Sequence, residues 1–160
     1  MEITNIVAKI IICEQNELTI EQKSIVEAAK KATLSSYAPY SHYNVGAGVL
    51  LDNGKIIMGS NQENAAYPSG ICAERTALFY AGTAFPEAKV KKIAIIASHN
   101  GEFTSSICSP CGACRQVMLE SQFRAGNPIE VLLCSSNKIY ILESVDDLLP
   151  FGFDYSDLKG

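Results

Sequence analysis

Three cysteines and one glutamate in this sequence have the spacing of a catalytic metal site. Glu74 lies two residues after Cys72, and Cys111 and Cys114 form a Cys-x-x-Cys pair that directly follows a proline. Two cysteines with this spacing at the start of a helix can direct both sulfur atoms to one ion, and Cys72 can supply a third thiolate. Three protein ligands leave the fourth position of tetrahedral zinc open to water, as in catalytic sites. The spacing therefore predicts one catalytic Zn²⁺ bound by Cys72, Cys111 and Cys114.

Two neighbouring residues are suited to complete the chemistry of such a site. Glu74 can lie beside the open position without being a ligand, where its carboxylate can take a proton from the zinc-bound water and pass it to a substrate. Three thiolates give the centre a net negative charge, which weakens its pull on the water proton. We expect Arg75 to offset part of this charge by donating hydrogen bonds to the thiolates, and we expect helix N-terminal N–H groups to help.

The elements that must position these residues follow from the hydrophobic pattern. Apolar runs predict β-strands, apolar residues three or four positions apart predict helices, and the Asn-Gly pair at Asn53 predicts a β-hairpin. The predicted strands are 45–51, 55–59, 92–98, 129–134 and 138–143, with a further strand within 3–12, and the predicted helices are 17–33, 72–80, 111–124 and 145–149. This order predicts an α/β fold in which a mixed sheet of about five strands is covered by helices.

The composition excludes several classes of protein. The chain has 160 residues, 48% of them hydrophobic and 19% charged, which predicts one domain over 1–160 rather than a disordered chain. A net charge of −4 argues against nucleic-acid polymers and anionic membranes as partners. We find no membrane-spanning run and no signal peptide, and therefore expect a cytoplasmic protein. In that compartment six cysteines favour metal ligands and core thiols over disulfides.

Several motifs in order resemble one known family. The segments that carry the likeness are Ser36–Ser41 (Ser-Tyr-Ala-Pro-Tyr-Ser), Asn61–Tyr67, Cys72–Thr76, Ser109–Gln116 and Asp147–Pro150. From about Ala28 to Leu158, the chain resembles the homotetrameric, zinc-dependent cytidine deaminases of free-nucleoside pyrimidine salvage. The resemblance implies a three-layer α/β/α fold, with the first ~18 residues as an N-terminal extension. It also implies a cytoplasmic homotetramer with one Zn²⁺ per subunit and pockets shared between subunits.

The resemblance implies a reaction and roles for particular residues. The reaction is the hydrolytic deamination of cytidine and 2′-deoxycytidine to uridine and 2′-deoxyuridine with release of ammonia. A zinc-bound hydroxide would attack C4 of the base while Glu74 carries protons to ring N3 and then to the departing ammonia. The backbone N–H of Ala73 would hold the pyrimidine O2, and Asn61 and Glu63 would bind the ribose 3′-hydroxyl.

Four further substrate contacts are implied by the same resemblance. Tyr43 stands where the family usually has phenylalanine against the base, and we expect this difference to change little. Phe153 stands where an aromatic residue from another subunit closes the pocket. Ala65 and Tyr67 likewise resemble contributions across a subunit interface.

Other interpretations of single residues remain open at this point. A Cys-x-x-Cys pair alone is typical of a structural zinc site, and Cys108 forms a second such pair with Cys111, so Cys108, Cys111 and Cys114 are a rival ligand set. Phe151 is an alternative to Phe153 as the aromatic residue that closes the pocket. The two histidines, His42 and His99, are expected at the surface, Cys134 in the core, and Cys13 has no predicted role.

Three other functions compete with nucleoside deamination. A blasticidin-type deaminase shares the Tyr-x-Pro-Tyr-Ser and Cys-Ala-Glu motifs but lacks the ribose-binding segment that begins here at Asn61. Editing of cytosine in RNA or DNA requires a basic, aromatic-lined groove, which the acidic composition disfavours. A catalytically inactive zinc-binding module would retain zinc without turnover, although the intact Glu74 argues against it.

Overall fold

A mixed β-sheet of seven strands forms the centre of the structure, a computed structural model that describes residues 1–159. The strands are β1 (Ile11–Cys13), β2 (Tyr43–Leu51), β3 (Ile56–Ser60), β4 (Val90–His99), β5 (Glu102–Phe103), β6 (Glu130–Cys134) and β7 (Ile139–Leu142). They lie in the order β1-β7-β6-β4-β2-β3, with β5 paired to β4. The β4/β6 pair is parallel and the other pairs are antiparallel. The predicted mixed sheet is confirmed, but the expected count of about five strands is too low because β1 and β5 are very short.

Three helices cover the sheet, with one on the first face and two on the second. They are α1 (Ile20–Ala32), α2 (Ala73–Ala84) and α3 (Gly112–Ala125). On one face, Ile25, Val26 and Ala29 of α1 pack with buried side chains of β4, β6 and β7. On the other face, α2 and α3 pack on the sheet through Ala77, Leu78, Met118 and Leu119. This arrangement confirms the three-layer α/β/α fold.

The N-terminus of α1 is defined by a capping box. The Thr19 side chain accepts a hydrogen bond from the backbone of Gln22, and the Gln22 side chain accepts one from the backbone of Thr19. Because this reciprocal pair satisfies two otherwise free donors, the helix begins at Ile20 rather than at the predicted Glu17. The helix then lies directly on β2, since a Cβ at Gly46 would be 2.0 Å from the Ala29 carbonyl oxygen.

The β2/β3 hairpin brings the start of α2 onto the sheet. Gly54 has a φ of 80°, as the predicted Asn-Gly turn requires. A Cβ at Gly59 would lie 2.5 Å from both the carbonyl oxygen of Ala73 and the backbone nitrogen of Ala77. A side chain at Gly59 would therefore push away the first turn of α2, which contains Glu74.

The predicted strand over 3–12 is largely wrong. Residues 1–10 form no helix or strand, and only Ile11–Cys13 pairs with the outer edge of β7. Apolar residues earlier in this segment, such as Ile3 at 86% exposure, have no sheet to cover. The predicted short helix at 145–149 is a 3₁₀ turn at Val145–Leu148. No helix of the described chain has the length and apolar character needed to cross a bilayer.

Candidate active site

The three predicted ligand cysteines meet at the starts of two helices. The sulfur atoms of Cys72, Cys111 and Cys114 all lie within 4.8 Å of one another, and the distance between Cys72 Sγ and Cys111 Sγ is 3.8 Å. Cys72 is the N-cap of α2 and Cys111 is the N-cap of α3. A tetrahedral zinc ion with Zn–S bonds of about 2.3 Å separates its ligand sulfurs by about 3.8 Å. The donor set therefore fits one Zn²⁺ ion.

The protonation of the cluster also suits a divalent cation. A hydrogen bond with Cys114, followed by hydrogen bonds with Arg75 and Cys111, lowers the pKa of Cys72 to about 5 despite its partial burial. The same Cys72 contact and burial raise the pKa of Cys114. One sulfur is thus held as a thiolate while a neighbouring sulfur keeps its proton. A metal ion that displaces this proton would stabilise all three sulfurs as thiolates.

Glu74 lies in the first turn of α2 and is 4% exposed. Burial is the main cause that raises its pKa, and the negative charge of Cys72 raises it further. A raised pKa makes this carboxylate a better proton acceptor than that of an exposed glutamate, and the protonated carboxyl can then serve as a proton donor. The side chain also lines the cavity described below, so a bound molecule can reach it.

Arg75 contacts the cluster from the same helical turn. Its Nη2 atom lies 3.9 Å from Cys72 Sγ, and its Nε atom is buried without a hydrogen-bond partner among the described residues. The guanidinium group is thus close enough to offset part of the thiolate charge.

A cavity of about 620 Å³ opens above the cluster and brings most of the predicted site residues together. Those that line it are Tyr43, Asn61, Glu63, Tyr67, Cys72, Glu74, Arg75 and Cys111. Ala73 and Cys114 are buried and are not among the lining residues, and Ala65 and Phe153 are exposed outside it. Tyr67, which the family resemblance assigns to a subunit interface, lines the cavity of its own chain, and its ring centroid is 6.0 Å from that of Tyr40.

Asn61 follows β3 and has its side-chain amide held by three contacts. Its Oδ1 atom accepts hydrogen bonds from Ser36 Oγ at 2.6 Å and from the backbone nitrogen of Val45 at 2.8 Å. Its Nδ2 atom donates to the carbonyl oxygen of Tyr43 at 2.9 Å. Two donors on Oδ1 define the orientation of the amide, and one hydrogen on Nδ2 remains free for a ligand.

Glu63 is held in a similar way by the loop before β2. Its Oε2 atom accepts hydrogen bonds from the backbone nitrogens of Tyr40 at 2.9 Å and Ser41 at 3.2 Å, and its Oε1 atom accepts one from Ser41 Oγ. The Ser41 hydroxyl is the main cause that lowers the pKa of Glu63. The contacts of Ser36 and Ser41 were not identified from the sequence. These residues are the first and last of the Ser-Tyr-Ala-Pro-Tyr-Ser motif, but a serine side chain is not typical of a metal or substrate ligand.

The structure groups Cys72, Cys111 and Cys114 and leaves the alternative ligands outside this group among the described residues. Among the described residues, Cys108 is not in the three-sulfur group; it is buried beside the cavity, and burial raises its pKa to about 11. Cys134 is buried in the core, as expected. His42 and His99 are both exposed, and neither belongs to the metal-ligand group found in the described chain.

The fold and the three-cysteine cluster beside a buried carboxyl place the chain among the zinc-binding hydrolases. A family model described as "Cytidine and deoxycytidylate deaminase zinc-binding region" matches residues 19–126. The chain belongs to the cytidine deaminase family, as its motifs predict.

Individual relatives agree over most of the chain. A cytidine deaminase of Halalkalibacterium halodurans is 35% identical over 151 residues, covering 88% of this chain and 99% of that protein. One of Sporosarcina psychrophila is 37% identical, covering 88% and 96%. The crystal structure of a cytidine deaminase from Burkholderia pseudomallei superposes with a TM-score of 0.69 at 38% identity, covering 85% of this chain and 100% of that one.

Proposed function

We propose that this protein catalyses the hydrolytic deamination of cytidine and 2′-deoxycytidine to uridine and 2′-deoxyuridine, with release of ammonia. One observation carries the proposal: the carboxyl of Glu74 is buried next to the three-cysteine cluster, at the cavity that Asn61 and Glu63 also line. A proton-transfer group, a metal site and polar groups suited to a sugar therefore face one space of nucleoside size.

The chain's own residues account for the proton movements of this reaction. Zinc held by Cys72, Cys111 and Cys114 supplies Lewis acidity that activates water. Glu74 accepts a proton from the attacking water, delivers it to N3 of the base, and then carries the second water proton to the amino group that leaves C4 as ammonia. The backbone N–H of Ala73 donates to the pyrimidine O2, and Arg75 limits the negative charge on Cys72.

The ribose is bound by groups with complementary hydrogen-bonding roles. Asn61 has one free Nδ2 hydrogen to donate, whereas the carboxylate of Glu63 can only accept. A 3′-hydroxyl can satisfy both residues, since it accepts from Asn61 and donates to Glu63. Tyr43 lines the cavity beside them, where its ring can pack against the base.

The exposed aromatic side chains support a homotetramer with shared pockets. Those near α2, α3 and the C-terminal segment are Phe79, Tyr80, Phe123, Phe151, Phe153 and Tyr155. Aromatic side chains are enriched at protein–protein interfaces, and Phe123 and Tyr155 contact each other with ring centroids 5.4 Å apart. In this proposal Phe153, Ala65 and Tyr67 contribute to pockets of neighbouring subunits, which agrees with the position of Ala65 and Phe153 outside the cavity of their own chain.

We further propose a role in salvage of free pyrimidine nucleosides in the cytoplasm. Three thiols that must bind metal persist best in a reducing compartment. The chain is one deaminase domain in which residues 1–18 are an extension, a division supported by the family match that begins at residue 19.

Comparison of three substrates tests the proposal. Zinc-loaded protein is mixed with cytidine, with cytidine 5′-monophosphate and with blasticidin S, and the ultraviolet absorbance and released ammonia are followed. We expect turnover of cytidine with equal amounts of uridine and ammonia. Little turnover of the nucleotide is expected, because Arg75 is the one cationic side chain among the described residues lining the cavity, and Cys72 engages it. Turnover of blasticidin S alone, or zinc binding without any turnover, would contradict the proposal.

A further inference from the structure

Ser41 connects two parts of the site that the proposed function assigns to different parts of a nucleoside. Its hydroxyl donates a hydrogen bond to Oε1 of Glu63 and accepts one from the backbone nitrogen of Tyr43 at 3.1 Å. Glu63 belongs to the ribose side of the cavity, and Tyr43 belongs to the base side. One hydroxyl group therefore ties the carboxylate to the backbone of the aromatic residue.

The directions of these hydrogen bonds follow from the chemistry of the groups. An ionised carboxylate has no hydrogen to donate, so the single hydroxyl hydrogen of Ser41 must point to Glu63. A lone pair of the same oxygen then receives the Tyr43 N–H. Only one orientation of the Ser41 hydroxyl makes both hydrogen bonds, the one to Glu63 and the one from the Tyr43 N–H, at the same time.

These contacts also determine which carboxylate oxygen of Glu63 is available. A carboxylate has about four acceptor positions, two on each oxygen. On Oε2, the backbone nitrogens of Tyr40 and Ser41 occupy both. On Oε1, Ser41 Oγ occupies one, so a single position remains for a donor from the ligand.

We propose that Ser41 is a positioning residue for ribose recognition. It holds Glu63 so that the free acceptor position of Oε1 meets the ribose 3′-hydroxyl. It also fixes the position of this carboxylate relative to the backbone of Tyr43. The inference rests on the proposed function, because it requires a nucleoside in the cavity. It assigns no chemical step to Ser41, which acts through Glu63.

Comparison with Asn61 shows why the orientation of Glu63 should depend on the Ser41 hydroxyl. The amide of Asn61 is oriented by two backbone groups, the N–H of Val45 and the carbonyl of Tyr43, in addition to Ser36. On Glu63, by contrast, the oxygen left for the ligand is held by the Ser41 side chain alone. Removal of that hydroxyl leaves Oε1 without a protein donor.

The test compares two variants on two substrates. Ser41→Ala and Ser41→Thr are assayed with cytidine and with 3′-deoxycytidine, which lacks the hydroxyl that Glu63 would bind. For Ser41→Ala we expect KM for cytidine to rise about tenfold with kcat within about twofold, as for loss of one charge-assisted hydrogen bond. With 3′-deoxycytidine we expect kcat/KM to change less than about twofold, and Ser41→Thr should restore most of the affinity for cytidine.

A merely structural role would give a different pattern. Equal losses of kcat/KM on both substrates, or no loss on cytidine, would overturn the proposal while leaving cytidine deamination intact. A wild-type protein that does not convert cytidine would overturn the proposed function and this inference together. If Ser41→Ala is poorly folded, Ser41→Cys, whose thiol is only a weak donor, is compared on the same two substrates; equal losses of kcat/KM on cytidine and 3′-deoxycytidine would contradict the assigned contact.

Discussion

The sulfur atom of Cys72 lies 3.8 Å from that of Cys111, although the two cysteines cap different helices that are separated by two strands in the sequence. The sheet brings the N-termini of α2 and α3 to one point, and the distance matches that between two thiolates on one zinc ion. Because Glu74 follows Cys72 in the same helical turn, the proposed zinc ligand and the proposed proton carrier are positioned by a single element.

Substitution of Cys111 and of Cys108 should distinguish a zinc ligand from a cysteine that only lies near the site. Cys111→Ala removes a member of the three-sulfur cluster, so we expect zinc content to fall far below one ion per chain and turnover to be lost. Cys108→Ala alters a buried cysteine outside that cluster, and we expect zinc to remain at one ion per chain. Metal content of the purified variants checks both expectations, and loss of zinc from Cys108→Ala would favour the rival ligand set.

Removal of Arg75 should make zinc binding more sensitive to acid. Protons compete with zinc for thiolates, and Arg75 is one of the groups that lower the pKa of Cys72 to about 5. In Arg75→Gln the pKa of Cys72 rises, so its thiolate is protonated at a higher pH and zinc is released at a higher pH. A chromophoric chelator can follow release during acidification, with Arg75→Lys as the charge-conserving control. Identical release curves for wild type and Arg75→Gln would show that Arg75 does not stabilise the thiolate.

Phe153 and Phe151 offer a matched pair for the shared pocket. Both are exposed in one chain, at 57% and 94%, but only Phe153 is assigned to a neighbouring subunit's site. We expect Phe153→Ala to lower kcat/KM for cytidine by about tenfold, as for loss of an aromatic contact with the substrate, and Phe151→Ala to have little effect. Light scattering should report four chains per particle for the wild type. A larger loss for Phe151→Ala, or a fully active monomer, would contradict the shared pocket.

Gly59→Ala should disturb the site without touching it. The new Cβ would lie 2.5 Å from the Ala73 carbonyl oxygen, a distance that requires the first turn of α2 to move. We expect a loss of stability of about 1–3 kcal/mol and reduced activity, measured by denaturant unfolding and cytidine turnover. Gly82 lies in α2 itself, and a Cβ there would be 3.6 Å from its nearest neighbour, Nη1 of Arg124. Gly82→Ala should therefore be neutral or stabilising. Equal effects of the two variants would show that close packing at Gly59 does not position Glu74.

The sequence predicts the strongly periodic elements well, and the three cysteines that it proposes as zinc ligands lie together in the structure. The helices that begin at Ala73 and Gly112 and the β2/β3 hairpin agree closely, because amphipathic spacing and an Asn-Gly turn are local signals. The strand predicted over residues 3–12 is largely wrong, because an apolar run does not show whether a partner strand lies beside it. The two-residue strand β5 is too short to give a pattern.

The substrate side of the site is less visible in the sequence. Ser41 and Glu63 are 22 residues apart, and their contact depends on how two loops meet. The family resemblance, rather than the spacing, directs attention to Asn61 and Glu63. Residues assigned to neighbouring subunits, such as Phe153, have no signal in a single chain beyond their exposure.

Glu74→Gln is the sharpest test of proton transfer by Glu74, because it replaces a buried carboxyl with an amide of the same shape that cannot carry a proton. Wild type and variant are loaded with zinc, their metal content is measured, and cytidine turnover is followed by ultraviolet absorbance. We predict one zinc ion per chain in both proteins and a loss of turnover of at least about a hundredfold in the variant alone. Turnover close to wild type in a zinc-loaded Glu74→Gln protein would contradict the assignment of Glu74 as the proton carrier.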